Sequence, residues 1–472
     1  MTLFHRMKLP QDLFSSRACW LALSLLSLLL VQGCASVYKP QNVAISHIDN
    51  DKGYRLLTTR RGDFGDHMIM LAFSGGGTRA AALSYGILKE LRDTQVDARG
   101  QRVRLLDEVD SISSVSGGSF TSAYYGLFGD RIFSDYERVF LRQSIQGTLI
   151  RQLFNPAYWW NSVFSGFDRT EMAIDYYDRQ IFEGKTFADF DLTKSPYVEI
   201  NATDLGIGTR FSFIQGIFDL ICSDLDQFKV ARAVTASSAV PVAFPTIVLK
   251  NHAGECDLSQ SRWVNYFMKQ DGKDPRVKEI QDRIKAYTDS KARPYVHLVD
   301  GGIADNLGLR ALTDRLESFG SGLFMREVDR LPRNVLVISV NAQVKPERGI
   351  DRSAAKPSVT DTVDAFSDAQ MSLYNEETKL LLDKKLKELG EQLRQHGHDI
   401  KIYSADVSFE SVQAKTMKSY LNNLPTTLEL SDQDVDMLIE AASTILRHDP
   451  QYRQFFEDNN GRRVKAAPVA AR

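Results

Sequence analysis

Cysteine, tryptophan and histidine are scarce in this chain, at four, four and eight of 472 residues. With no clustered Cys/His spacing and no H-E-x-x-H run, the sequence offers no zinc-type ligand set, and neither a metal nor another cofactor is expected. Neither sign of charge dominates. Lys and Arg number 58 against 60 Asp and Glu, a net charge of −2, and that balance does not point to a nucleic-acid partner. Internal repeats and low-complexity tracts are absent. So is an apolar run long enough for an ordinary spanning helix, because the best candidate, Ala18 to Val31, has 14 residues. What remains is ordinary globular composition, 43% hydrophobic and 25% charged, in a chain long enough for one large domain or one plus a smaller companion.

The short apolar run suits an export signal, since Arg6, Lys8 and Arg17 precede it and small residues follow. Its ending, Leu30-Val31-Gln32-Gly33-Cys34, resembles the bacterial lipoprotein lipobox. That resemblance implies cleavage before Cys34 and acylation of its thiol and new amino terminus; ordinary signal cleavage and an uncleaved anchor stay open. Ala35 and Ser36 follow, and in a Gram-negative cell the absence of Asp there favours the outer membrane or the periplasmic face of the envelope. Acyl chains add about 0.8 kcal/mol of affinity per buried CH₂, so membrane lipid would serve as anchor. Beyond the leader only Cys222 and Cys256 remain, either as one disulfide or as two free thiols.

Three glycine-rich turns carry the chemistry. Val109 to Phe120, V-D-S-I-S-S-V-S-G-G-S-F, reads as a short buried strand ending at Ser116, with Gly117 and Gly118 permitting a sharp turn into a helix-like run, Phe120 to Leu127. A serine on such a turn has its hydroxyl pushed out of the sheet, beside the next residue's N–H and a helix N-terminus. Upstream, the apolar run Met68 to Phe73 leads into Ser74-Gly75-Gly76-Gly77-Thr78-Arg79 and a helix from Ala80 to Arg92. The turn lacks both the G-K-[ST] ending of a P-loop and the G-x-G-x-x-G spacing, which favours an oxyanion over a nucleotide. Downstream, the strand Tyr295 to Val299 ends at Asp300-Gly301-Gly302, followed by Ala304-Asp305-Asn306. Placed at the carboxyl ends of strands in an open parallel sheet, the three turns would share one edge.

In that order, with Ala236 to Pro245 (A-S-S-A-V-P-V-A-F-P) between the last two, these motifs resemble the patatin-like phospholipase family over Met68 to Leu309. The resemblance implies an α/β, three-layer fold with a mainly parallel central sheet flanked by helices. It implies a dyad of Ser116 as nucleophile and Asp300 as base, and an oxyanion hole from the backbone of Gly75, Gly76 and Gly77. Arg79, Gly118, Gly301 and Gly302 would support the site, and membrane glycerophospholipid acyl esters would be the substrates, as for a phospholipase A or lysophospholipase. Two departures are visible: Ser74 stands where the family often has aspartate, and Ser114 replaces the elbow's first glycine. A lone aspartate, with a reference pKa of about 3.9, is a weak base for serine, and burial would raise it. The other reading is a surface lipoprotein that keeps the fold to bind lipid or protein without turnover. No protein partner is indicated.

A histidine triad has no candidate at the motifs. His297 is nearest, and its odd separation from Asp300 sends the two to opposite faces of a strand. The expected organisation is a leader over 1–33, a tether over 34–66, a hydrolase domain over 67–343 and an α-rich extension over 344–472. The aromatic-rich stretch Leu127 to Phe190, including Phe154, Tyr158, Trp159, Trp160, Phe164, Phe167, Tyr176 and Tyr177, reads either as a lid or acyl wall or as ordinary core. Strands are expected at Tyr197 to Thr203, Arg210 to Phe213 and Asn334 to Asn341. In the extension, Val344 to Thr360 reads as linker. Leu382, Leu386, Leu389 and Leu393 mark an amphipathic helix from Leu380, Ile400 to Phe409 a strand, and Ser431-x-x-Asp434 a helix cap.

Overall fold

The computed structural model describes residues 40–56, 65–145, 147–148, 169–240, 244–320, 331–345 and 349–464. The leader, Cys34, part of the tether and the aromatics Phe154, Tyr158, Trp159, Trp160, Phe164 and Phe167 lie outside them. Eight strands form one sheet: β1 (His67–Phe73), β2 (Val109–Val115), β3 (Tyr197–Asp204), β4 (Thr209–Ser212), β5 (Ile247–Lys250), β6 (Tyr295–Val299), β7 (Asn334–Asn341) and β8 (Lys401–Ser408). Their order is β8-β7-β1-β2-β3-β6-β5, with β4 also paired to β3. Pairing is parallel from β8 to β3, while β4 and β6 run against β3 and β5 against β6.

Period-two alternation in the buried strands separates the layers. In β1, Ile69, Leu71 and Phe73 join one core cluster while Met68, Met70 and Ala72 join a second on the other face. The first is roofed by α1 (Gly77–Arg92) and α2 (Gly117–Phe128), the second by α4 (Leu309–Gly320) and the long α5 (Val359–Gln395); α3 (Val230–Ser237) packs beside α2. Strand β2 is wholly buried despite its polar residues because each has a partner. The Asp110 carboxylate accepts the Ile69 N–H at a register shift, the Ser111 hydroxyl accepts from Arg315, and the Ser113 hydroxyl donates to the Gly308 carbonyl. Of the aromatic stretch, the described Tyr177 packs edge-on against Phe120 at 5.0 Å, as core.

The chain beyond residue 343 joins the same body. Strand β8 pairs with β7 along its whole length, from Asn334↔Lys401 to Asn341↔Ser408. Leu382, Leu386 and Leu393 of α5 fill the second cluster, and α7 (Asp432–His448) lies on α1 after the short α6 (Lys415–Asn422). Helix α5 spans 37 residues, starting inside the expected linker, where Ser358 and Asp361 form a capping box. Its first turns face water, apolar Val359, Val363 and Phe366 included, so the helix begins well before its buried leucines. Cys222 and Cys256 form a disulfide with a Cα–Cα distance of 5.6 Å. No helix among the described residues is long and apolar enough to cross a membrane.

Candidate active site

Strand β2 delivers Ser116 into a conformation few residues adopt, φ 50° and ψ −121°, which costs about 1–3 kcal/mol unless the surroundings hold it. They do so through hydrogen bonds. The Ser116 N–H donates to Ser237 Oγ at 2.8 Å, and that hydroxyl donates to the Asn201 carbonyl at 2.6 Å. Helix α2 begins at once, and a Cβ on Gly117 would fall inside the Gly77 carbonyl, so glycine is what lets the elbow touch the upstream loop. Gly118 N–H donates to the Ser74 carbonyl at 3.2 Å. Ser114, in place of glycine, is absorbed by a 2.6 Å bond from the Ser122 hydroxyl.

Asp300 arrives from the opposite direction, which corrects the expectation of a third parallel strand. The pairs Val115↔Asn201 and Val299↔Thr203 bring β2 and the antiparallel β6 to an end at nearly the same level on either side of β3. The next residues then meet over it: Ser116 Oγ donates to Asp300 Oδ2 at 2.9 Å. Asp300 is fixed at every polar atom. Its N–H donates to the Ala239 carbonyl at 2.9 Å, its carbonyl accepts from Thr203 Oγ1 at 2.8 Å, and its Oδ1 accepts the Gly302 N–H at 2.7 Å. Gly301 N–H donates to the Ser237 carbonyl at 3.0 Å. Ser116 is 6% and Asp300 8% exposed. Burial pushes the Asp300 carboxyl up to about 6, against the pull of the Gly302 N–H and the Ser116 hydroxyl.

The glycine loop sits beside them, and here one expectation changes. Gly75 N–H is committed to the Asn306 carbonyl at 2.9 Å, so it has no proton to offer a ligand. The residue matters through closeness instead, since a Cβ there would lie 2.7 Å from Asn306 Oδ1. Among the described residues the N–H groups of Gly76, Gly77 and Gly117 have no acceptor, and the last two open α1 and α2. Ser74, one of the two departures from the family pattern, accepts the Ala342 N–H at 2.9 Å and ties the loop to the chain leaving β7. Arg79 is buried and supports the loop through three bonds, to the Ala342 and Leu424 carbonyls and to Thr426 Oγ1. His297 is exposed. No cluster among the described residues would hold a metal.

Sequence reasoning missed Ser237, which ties both halves of the pair together, along with Asn201 and Thr203. Ser237 lies inside the A-S-S-A-V-P-V-A-F-P motif, and that motif was its only signal in the sequence.

No curated protein matches the chain. Eleven solved chains match, among them human GIVD cytosolic phospholipase A2, at 11% identity and a TM-score of 0.37. That alignment covers 83% of this chain and 60% of the human one, so the chain spans about three-fifths of that protein's length. A family model described as patatin-like phospholipase matches residues 71–313, which hold the glycine loop, the elbow and the D-G-G turn. With more than half of its 472 residues inside that match, the chain belongs to the patatin-like phospholipase family, whose members' general chemistry is lipid acyl hydrolysis.

Proposed function

We propose that the protein is a membrane-attached serine lipid acyl hydrolase of phospholipase A or lysophospholipase type, with Ser116 as nucleophile and Asp300 as base. The observation that carries this is the 2.9 Å bond from Ser116 Oγ to a buried carboxylate whose pKa is lifted to about 6. Ser116 Oγ bonds to the ester carbonyl carbon as its proton passes to Asp300 Oδ2. The oxyanion is held by the N–H groups of Gly76, Gly77 and Gly117, a kind of donor whose loss costs about 3–4 kcal/mol elsewhere. Protonated Asp300 gives its proton to the departing alkoxide, leaving an acyl-serine. Water then attacks the acyl carbon, its proton goes to Asp300, and the fatty acid leaves as Ser116 Oγ is reprotonated. Val240 and Ile303, close in sequence to residues of the site and 46% and 55% exposed, offer apolar surface suited to acyl chains.

Ser116→Ala and Asp300→Asn are each expected to abolish ester hydrolysis in a folded protein. Full activity in either refutes the dyad. A serine-reactive phosphonate should label Ser116; tight lipid binding without labelling would favour a binding module. Attachment rests on the Cys34 sequence, and the Cys222–Cys256 disulfide suits an exported protein. Cys34→Ala is expected to release the protein from the membrane fraction, and an unchanged distribution with no acyl label on the wild type would reject the anchor.

A further inference from the structure

Helix α1, which opens at the glycine loop, is gripped along its length by chain that lies beyond the matched family domain. At its far end Glu90, 1% exposed, takes ion pairs from Arg447 at 2.6 Å and Arg463 at 3.1 Å. At mid-length a Cβ on Gly86 would lie 2.7 Å from the Ile439 carbonyl oxygen, so α7 rests on bare backbone there. At the loop itself the connection between α6 and α7 closes over the first turn: the Thr427 carbonyl accepts the Thr78 N–H at 2.9 Å. Arg79 reaches the same connection, with Nη1 on the Leu424 carbonyl at 2.7 Å and Nη2 on Thr426 Oγ1 at 3.0 Å, while Nε holds the Ala342 carbonyl at 2.8 Å. None of the three bonds goes to a carboxylate, so the guanidinium serves here as a planar three-way bracket.

We propose that Leu424–Thr427 is a positioning element of the active site, fixing the glycine loop so that the Gly76 and Gly77 N–H groups face the developing oxyanion. The inference rests on the hydrolase reading above and extends it to residues outside the family domain. Its physical basis is that oxyanion donors help only when already oriented at the moment of reaction. A loop of three glycines has no stiffness of its own. Thr427 takes the Thr78 N–H, Asn306 takes that of Gly75, and the two amides between them are held from both sides without being used.

The test compares full-length wild type with Arg79→Lys, Thr426→Val and Thr426→Ser, well below their melting temperatures. Amide exchange over residues 74–79, phosphonate acylation of Ser116, and kcat and KM on an ester are measured. Arg79→Lys is expected to slow acylation and kcat by about tenfold or more with KM within about twofold, and to speed loop exchange similarly, because a charge-assisted bracket is lost. Thr426 is exposed, so Thr426→Val should fold normally; it is expected to shift all three the same way by about threefold, and Thr426→Ser to match wild type. Unchanged exchange in both Arg79→Lys and Thr426→Val, or faster exchange with unaltered acylation, overturns the proposal while leaving the hydrolase intact. A wild type that is never labelled at Ser116 refutes the hydrolase reading, and this proposal with it.

Discussion

At Asp300 the burial that would suit the carboxylate to act as a base also works against the fold. The folded carboxyl titrates near 6 against an ordinary 3.8, so its protonated form contributes stability that is fully present below about pH 4 and lost as pH rises through 6. Ionised Asp300 then costs up to about 3 kcal/mol at pH 7.5. Asp300→Asn is therefore expected to melt higher than wild type at pH 7.5, with the gain shrinking toward pH 4, while hydrolysis falls by roughly 10³-fold or more. Asp305, also buried and also pushed up to about 6, adds to the pH dependence of both proteins and drops out of their difference. The wild-type kcat/KM profile should show an acid limb near pH 6, and a limb near 4 would mean that the base lies elsewhere. Ser116 stores strain of a different kind. Glycine tolerates φ 50° and alanine does not, so Ser116→Gly should be about 1 kcal/mol more stable than Ser116→Ala in denaturant melts, both being inactive.

Between elements, the working unit is the turn Ser237–Ala239 at the end of α3. It accepts the N–H groups of Ser116, Asp300 and Gly301, and so holds both members of the proposed dyad against one rigid object. Ser237→Ala leaves the Ser116 N–H buried without an acceptor, a loss of about 1–3 kcal/mol in unfolding free energy, and kcat should fall more than KM rises. Equal melting curves and rates would show the turn to be incidental. Much of this level was legible in the chain. Continuous apolar runs marked β1 and β7, glycines marked the turns, and leucine spacing marked the buried face of α5. Two things were not legible. A strand's side-chain period is the same whichever way it runs, so Tyr295 to Val299 could not announce that β6 is antiparallel. The grip on the glycine loop uses carbonyls of Ala342, Leu424 and Thr427, groups every residue possesses, and side-chain patterns are blind to them.

For the molecule as a whole, the family domain ends at residue 313 but the packing does not. A chain stopped at residue 343 would leave β7 as an open edge, strip Leu382, Leu386 and Leu393 from one core cluster and Leu438 and Leu446 from the other. Such a chain is expected to aggregate, and a soluble, monomeric product in size-exclusion chromatography would show the two parts to be separable. The opposed directions of β2 and β6 carry a last consequence. Ser116 and Asp300 stand 184 residues apart in sequence, yet they meet because two strands stop at one level against a third and one turn ties both ends together. Chain that leaves β3 and the Ser237–Ala239 turn in place, such as the stretch between α2 and β3, can lengthen, shrink or acquire new helices without moving either group, so the surroundings of the pair are free to be remodelled while its two side chains stay where they are.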